Sequence, residues 1–187
     1  MSTHAGLRVS LAASAAITAG LALAACADTT PVAPSSRTAP ALSAAGSAQY
    51  NAALAELRRV TARYHDIRAA IDDDFIPVTA ACAEEEGGEI MPIPYAHIGR
   101  LFDGRLDTSL PDALLYEPGP GGAMTLVGVE LAIPFSQWTD AAPPTFFGAE
   151  YQREEELGVY GLHIWVWKHN PEGMLAEGNP LVTCDAG

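Results

Sequence analysis

The residues best suited to chemistry fall in two stretches of the C-terminal half. Residues 159 to about 168 read as a strand, and alternation along it puts His163, Trp165, Trp167 and His169 on one face and Leu162, Ile164, Val166 and Lys168 on the other. Imidazoles ligate transition metals and exchange protons near neutral pH. Indole faces stack on sugars or aromatic ligands, and just as readily fill a core. His163 and His169 are six residues apart, or about 20 Å at roughly 3.3 Å per residue, so an extended chain cannot bring both to one ion. A site built on His163 must recruit from elsewhere. In the run 124–133, Glu130 shares a face with Met124, Leu126 and Ala132, while Thr125, Val127, Val129, Leu131 and Ile133 line the other. A carboxylate amid apolar neighbours demands a partner, a cation or a proton. His97, in Pro94-Tyr95-Ala96-His97, and His65, at the edge of a helical stripe, are the remaining candidates.

Two imidazoles and a carboxylate suit zinc, copper or non-haem iron. The candidate ligand-binding set is therefore His65, His97, Glu130, His163, Trp165 and Trp167, with His163, His97, Glu130 and His65 as the metal subset. The competing reading is structural: a hydrogen-bonded strand histidine, tryptophans in cross-strand packing, and His169 as a turn residue of His-Asn-Pro-Glu-Gly. GxSxG, HExxH, GxGxxG, the P-loop and CxxC do not occur, so no template assigns a catalytic residue.

The elements that must position these groups can be read from periodicity. Tyr50, Leu54, Leu57, Val60, Tyr64, Ile67, Ile71 and Phe75 follow one another in steps of three or four, which predicts one long helix over 47–75 with Ser47 as N-cap. Asp72-Asp73-Asp74 lies near its end, without the spacing of an EF-hand, and reads as a solvated charge run in a fraying terminus before Pro77. Residues 84–112 look irregular. Leu114–Glu117 and Met124–Ile133 face each other across Pro118–Gly122 as a hairpin. Residues 134–158 form a long connection carrying Trp138, Phe146 and Phe147, whose exposure as a patch would mark an interaction surface. A helix followed by strands predicts α+β, the helix packed on an antiparallel sheet, with a small β-barrel plugged by the helix as the alternative.

The N-terminus carries an address. Residues 1–25 combine a single positive charge, Arg8, with an uncharged Ala- and Leu-rich run, the pattern of a secretory signal. Leu23-Ala24-Ala25-Cys26 resembles the lipobox of bacterial lipoproteins, which implies cleavage before Cys26, acylation of its thiol and attachment to a membrane surface. Ala27 stands where an acidic residue would signal inner-membrane retention, which favours the periplasmic face of an outer membrane or the cell surface. Residues 26–46, rich in Ala, Pro, Ser and Thr, read as the lipidated cysteine and a disordered tether, and 47–187 as a single globular domain. With Cys26 lipidated, Cys82 and Cys184 remain as a pair in an oxidising compartment, and a disulfide follows.

Of the chain's 187 residues, 49% are hydrophobic and 18% charged, enough apolar surface for a core. Without Arg8, 9 basic residues oppose 23 acidic ones, a net of −14, which argues against nucleic acid as a partner. Residues 50–184 resemble a set of uncharacterised secreted bacterial proteins. The matching pieces are Thr61–Asp66, His97, Leu114–Pro118, Val127–Glu130, His163–Pro171 and Cys184, while Pro92–Ile98 departs from a Gly-rich stretch ending in His-Tyr. The resemblance implies a shared fold and no established activity. The expectation is a lipid-anchored extracytoplasmic binding domain; the alternatives are a metal-dependent envelope enzyme using Glu130 as ligand or base, and a structural or envelope-interaction protein.

Overall fold

The computed structural model describes residues 44–84 and 90–184; the expected signal segment, Cys26 and most of the expected tether lie outside the described residues. In chain order, α1 (Ala44–Thr61), a 3-10 turn (Ala62–His65) and α2 (Ile67–Asp72) lead into β1 (Phe75–Pro77), β2 (Ala83–Glu84), β3 (Ile90–Met91) and β4 (Ile93–His97). Then come α3 (Ile98–Leu101), β5 (Ala113–Gly119), β6 (Ala123–Pro134), β7 (Thr145–Phe146), β8 (Ala149–Glu150), β9 (Gln152–Glu154) and β10 (Val159–Ile164). The main sheet has the order β1-β4-β5-β6-β10-β9 with antiparallel neighbours. Helix and antiparallel sheet combine as expected of α+β. The barrel alternative is excluded, because β1 and β9 are open edges. No helix among the described residues is long and apolar enough to cross a membrane.

The single helix expected over 47–75 is not formed. α1 starts at Ala44, so Ser47 lies inside it, and the chain breaks after Thr61. Asp66 adopts an extended conformation and its carboxylate accepts the Arg68 N–H at 3.0 Å, capping α2. Arg68 thus bonds the cap, and the Tyr64 carbonyl instead accepts the Tyr116 hydroxyl at 2.6 Å. Both tyrosines are buried. The stripe then runs out: Ile71 is exposed, Asp74 turns the chain at φ 63°, and Phe75 is buried from β1 rather than from a helix. Asp73 is not merely solvated, since it accepts the Tyr64 hydroxyl at 2.8 Å and pairs with Arg63 at 3.0 Å. The stretch 84–112, read as irregular, contributes β4 to the middle of the sheet.

The β5–β6 hairpin falls where the sequence placed it, with Gly121 and Gly122 at positive φ in its loop. Directly paired residues share a sheet face. On one face Leu114, Val129, Leu131, Leu162 and Ile164 pack with Leu54, Leu57 and Phe75 into the main core beneath α1. On the other face the positions around Glu130 and His163 are mostly small, Ala96, Ala113, Gly128, Ala132 and Gly161, with Pro94 and Leu115 as the larger ones. Small side chains there leave space that the first face fills.

The strand expected to run to about Lys168 stops at Ile164. Val166 N–H turns back to the Ile164 carbonyl at 2.9 Å, and the four-residue face of His163, Trp165, Trp167 and His169 does not exist. Trp165 is 1% exposed and fills a small second core with Leu115, Val127 and Val182. Trp167 crosses to the helix side, where its indole N–H donates to Thr61 Oγ1 at 3.0 Å. His169 is exposed. The aromatic patch is likewise absent: Phe146 is buried, Phe147 packs against the main core, and Trp138 donates to the Ala142 carbonyl at 2.7 Å.

The C-terminal tail returns across the small-residue face. Asn170 and Asn179 staple it through the Gly178 and His169 carbonyls at 2.7 and 3.1 Å, and Glu117 accepts both Thr183 N–H at 2.8 Å and Lys168 Nζ at 2.6 Å. Cys184 forms a disulfide with Cys82 at an S–S distance of 2.01 Å, tying the tail to the segment after β1. The bond spans a sequence separation of 102 residues, a loop whose closure on the chain-entropy model is worth up to about 4.7 kcal/mol. Urea unfolding of oxidised and reduced protein should differ by roughly 2–4 kcal/mol, and Cys82→Ser should match the reduced protein. Coincident oxidised and reduced curves would remove the cross-link from the list of stabilising features.

Candidate functional site

Glu130 and His163 are register partners across the β6–β10 ladder, so strand geometry alone sets them side by side on the small-residue face. Glu154, at the end of β9, joins them from the far side of β10. One ligand atom from each of Glu130, Glu154 and His163 lies within 4.8 Å of the others, and no other such trio of His, Cys, Asp or Glu occurs among the described residues. The convergence depends on Gly161, which stands one pleat from His163 and across from Ala132 and Gln152. A Cβ at Gly161 would sit 2.7 Å from Glu130 Oε1 and would collide with Glu154 Oε1. Glycine here makes the room in which the two carboxyl groups meet.

The trio lines a cavity of about 500 Å³ over the small-residue face. Met91, Leu115 and Leu175 form an apolar part of its wall, and Gln152, Arg153, Glu155 and Glu177 a polar one, so the lining is mixed. His163 Nδ1 lies 2.7 Å from the Glu177 carbonyl oxygen. A carbonyl only accepts, so Nδ1 carries the proton and Nε2 keeps a lone pair for a proton or a metal. The tail therefore fixes both the ring orientation and its tautomer, through Glu177 here and through the nearby bonds of Trp165 to the Met174 and Ala176 carbonyls at 2.9 and 2.8 Å.

Glu130 is 6% exposed, and its carboxylate forms no ion pair with a lysine, arginine or histidine among the described residues. Burial, reinforced by the negative charge of Asp112, pushes its pKa up to about 7. Asp112, 2% exposed at the start of β5, accepts the Ala132 N–H at 2.8 Å, and burial raises it to about 7 despite that bond and the nearby Arg100. Both carboxyl groups are therefore poised to exchange a proton near neutral pH.

Two expected members lie elsewhere. His65 is exposed at the end of the 3-10 turn, its ring edge-on to Trp167 at 4.4 Å. His97 ends β4 on the opposite face from Glu130, accepts the Arg100 N–H at 3.2 Å as the cap of α3, and packs edge-on against Phe75 at 5.4 Å. Trp165 and Trp167 pack in the two cores and do not line the cavity. Glu154 escaped the sequence reading because Glu154-Glu155-Glu156 has the form of a solvated charge run. The one available signal was its position, two residues past Gln152, in a segment able to pair with the last strand.

The raised carboxyl groups set the sign of a pH dependence. A carboxyl whose pKa is higher folded than unfolded binds more protons in the native state between those two values, so it stabilises at low pH and that stability is lost as pH rises through about 7. In chelator-treated protein, urea unfolding should show a decline on the order of a few kcal/mol from pH 4.5 to pH 7.5. The double variant Asp112→Asn, Glu130→Gln should flatten it; a wild-type profile that is level or rises with pH would contradict the assignment. No protein-family model, curated protein or solved structure matches this chain, and the functional argument rests on the chemistry of these side chains.

Proposed function

We propose that the protein is a lipid-anchored extracytoplasmic binding domain that takes a cationic ligand at the Glu130–Glu154–His163 floor of its cavity. The observation that carries the proposal is Glu130: a carboxylate 6% exposed, with no ion-paired cation among the described residues, lining a cavity large enough for a small molecule. Burying an unpaired carboxylate costs several kcal/mol unless a proton or a cation neutralises it. An arriving positive charge restores the ionised form and gains the attraction of Glu154 beside it. The acidic balance of the chain, 23 Asp and Glu against 10 Lys and Arg, favours cations in the approach as well.

Support for the address comes from the lipobox-like Leu23-Ala24-Ala25-Cys26 and from the Cys82–Cys184 disulfide, a bond suited to an oxidising compartment. The anchor places the domain at the periplasmic face of an outer membrane or at the cell surface, with the cavity free to sample solutes.

Full-length protein expressed in bacteria fed an alkyne fatty acid should be labelled and sediment with membranes, and Cys26→Ala should be neither labelled nor processed. Labelling independent of Cys26 would overturn the anchor. For the ligand, thermal unfolding of the full chain is measured with spermidine and with Zn²⁺ as probes. At least one should raise Tm by about 5–10 °C at a hundredfold excess over Kd, and Glu130→Gln should abolish the rise while folding normally. A Tm unmoved by either probe would sink the binding proposal.

A further inference from the structure

We infer that Glu130, Glu154 and His163 form a site for one divalent transition-metal ion, in which the carboxylates and the histidine Nε2 are the protein ligands and the cavity supplies the open positions. The inference rests on the cation-binding reading and narrows it. Three features point to a metal rather than to an organic amine. The first is the imidazole: His163 offers a lone pair, which an ammonium group can use only as one weak acceptor but which zinc, nickel or copper bonds directly. The second is the support behind it. Nδ1–H donates to the Glu177 carbonyl at 2.7 Å, the arrangement by which metal-bound histidines are oriented and made more basic. The third is Glu130 itself, nine-tenths buried, without an ion pair among the described residues, and lining the same space with an oxygen that converges on Glu154 and His163.

The spacing is close to that of a coordinated ion. Ligand atoms on a tetrahedral ion with bonds of about 2.0–2.1 Å stand about 3.4 Å apart. The three atoms here lie within 4.8 Å of one another, so a rotamer adjustment of Glu154, on the edge strand β9, closes the remaining gap. The imidazole disfavours calcium and magnesium, which take all-oxygen shells. No thiolate is available for Cu(I), since Cys82 and Cys184 are joined to each other. Three protein ligands at the floor of a cavity leave at least one position for water or for a ligand group, as in catalytic rather than structural zinc sites.

Gly161 provides the decisive variant. The residue lies in an extended strand, so alanine is tolerated by the backbone, but its methyl group would occupy the place where the two carboxylates meet. The full chain is expressed in an oxidising compartment, stripped with chelator and titrated with Zn²⁺, Ca²⁺ and Mg²⁺ by calorimetry. Zn²⁺ should bind at one equivalent with little response to Ca²⁺ or Mg²⁺, and X-ray absorption should show an oxygen and nitrogen shell near 2.0–2.1 Å. Gly161→Ala, His163→Ala and Glu154→Gln should each weaken Zn²⁺ at least about 100-fold, beyond the 10–100-fold typical of supporting residues. Gly161→Ala and Glu154→Gln, which leave the Glu177 contact intact, should keep the wild-type circular dichroism, so loss of binding in them is not loss of fold. Equal Zn²⁺ affinity in these variants, or Ca²⁺ binding as tight as Zn²⁺, would overturn the metal site. If Zn²⁺ fails while spermidine raises Tm in a Glu130-dependent way, the metal inference falls and the cation reading stands; if both probes fail, both fall.

Discussion

A carboxylate buried in the middle of a β-sheet face must be neutralised, and the rest of this fold is arranged around how Glu130 meets that requirement. Its most obvious protein solution is missing: no lysine or arginine pairs with it among the described residues. Its nearest titratable company is more carboxyl groups and one histidine. The native state therefore keeps Glu130 as an acid near neutral pH or hands it to an incoming cation. Either way the sheet stores a demand for positive charge at one defined point.

The two faces of the sheet divide the labour. On the helix side, large side chains interlock and the Tyr116 hydroxyl bonds the Tyr64 carbonyl at the break between α1 and α2, so the kink is part of the core rather than a flaw in it. On the other side, alanines and glycines hold the same strands in register while leaving space above them. That space would collapse without a roof. The tail supplies it, pinned by Glu117, by the asparagine staples and by the disulfide. The same tail orients His163 through Glu177, so cross-linking, cavity and imidazole geometry depend on one segment.

Local signals made much of this legible. The hairpin could be read because Pro and Gly at 118–122 leave few alternatives between two apolar runs. Glu130 stood out because a charge in an alternating apolar strand is costly on either face. His163 was a candidate, but its neighbours were misassigned: continuing the alternation past Ile164 grouped it with Trp167, whereas the chain turns there and sends Trp167 to the helix side. The long helix was overestimated for a related reason. Spacing in threes and fours persists through Phe75, yet Asp66 offers a cap that ends one helix and starts another, and a side-chain cap competes with periodicity at short range.

The sequence by itself determined the α+β composition, the pairing of Cys82 with Cys184 and the presence of a carboxylate where apolar residues belong. Each follows from residue type and local spacing. Only the tertiary structure decided which histidine that carboxylate meets, because partnership across strands depends on register, and register is the sum of many weak contacts along β5, β6 and β10. It likewise selected Glu154 from three adjacent glutamates, by placing it opposite Val159 on an edge strand, and it gave Gly161 its meaning. A glycine in a strand is unremarkable in sequence; it becomes a site residue when two carboxylates from neighbouring strands converge on the volume its missing side chain leaves free.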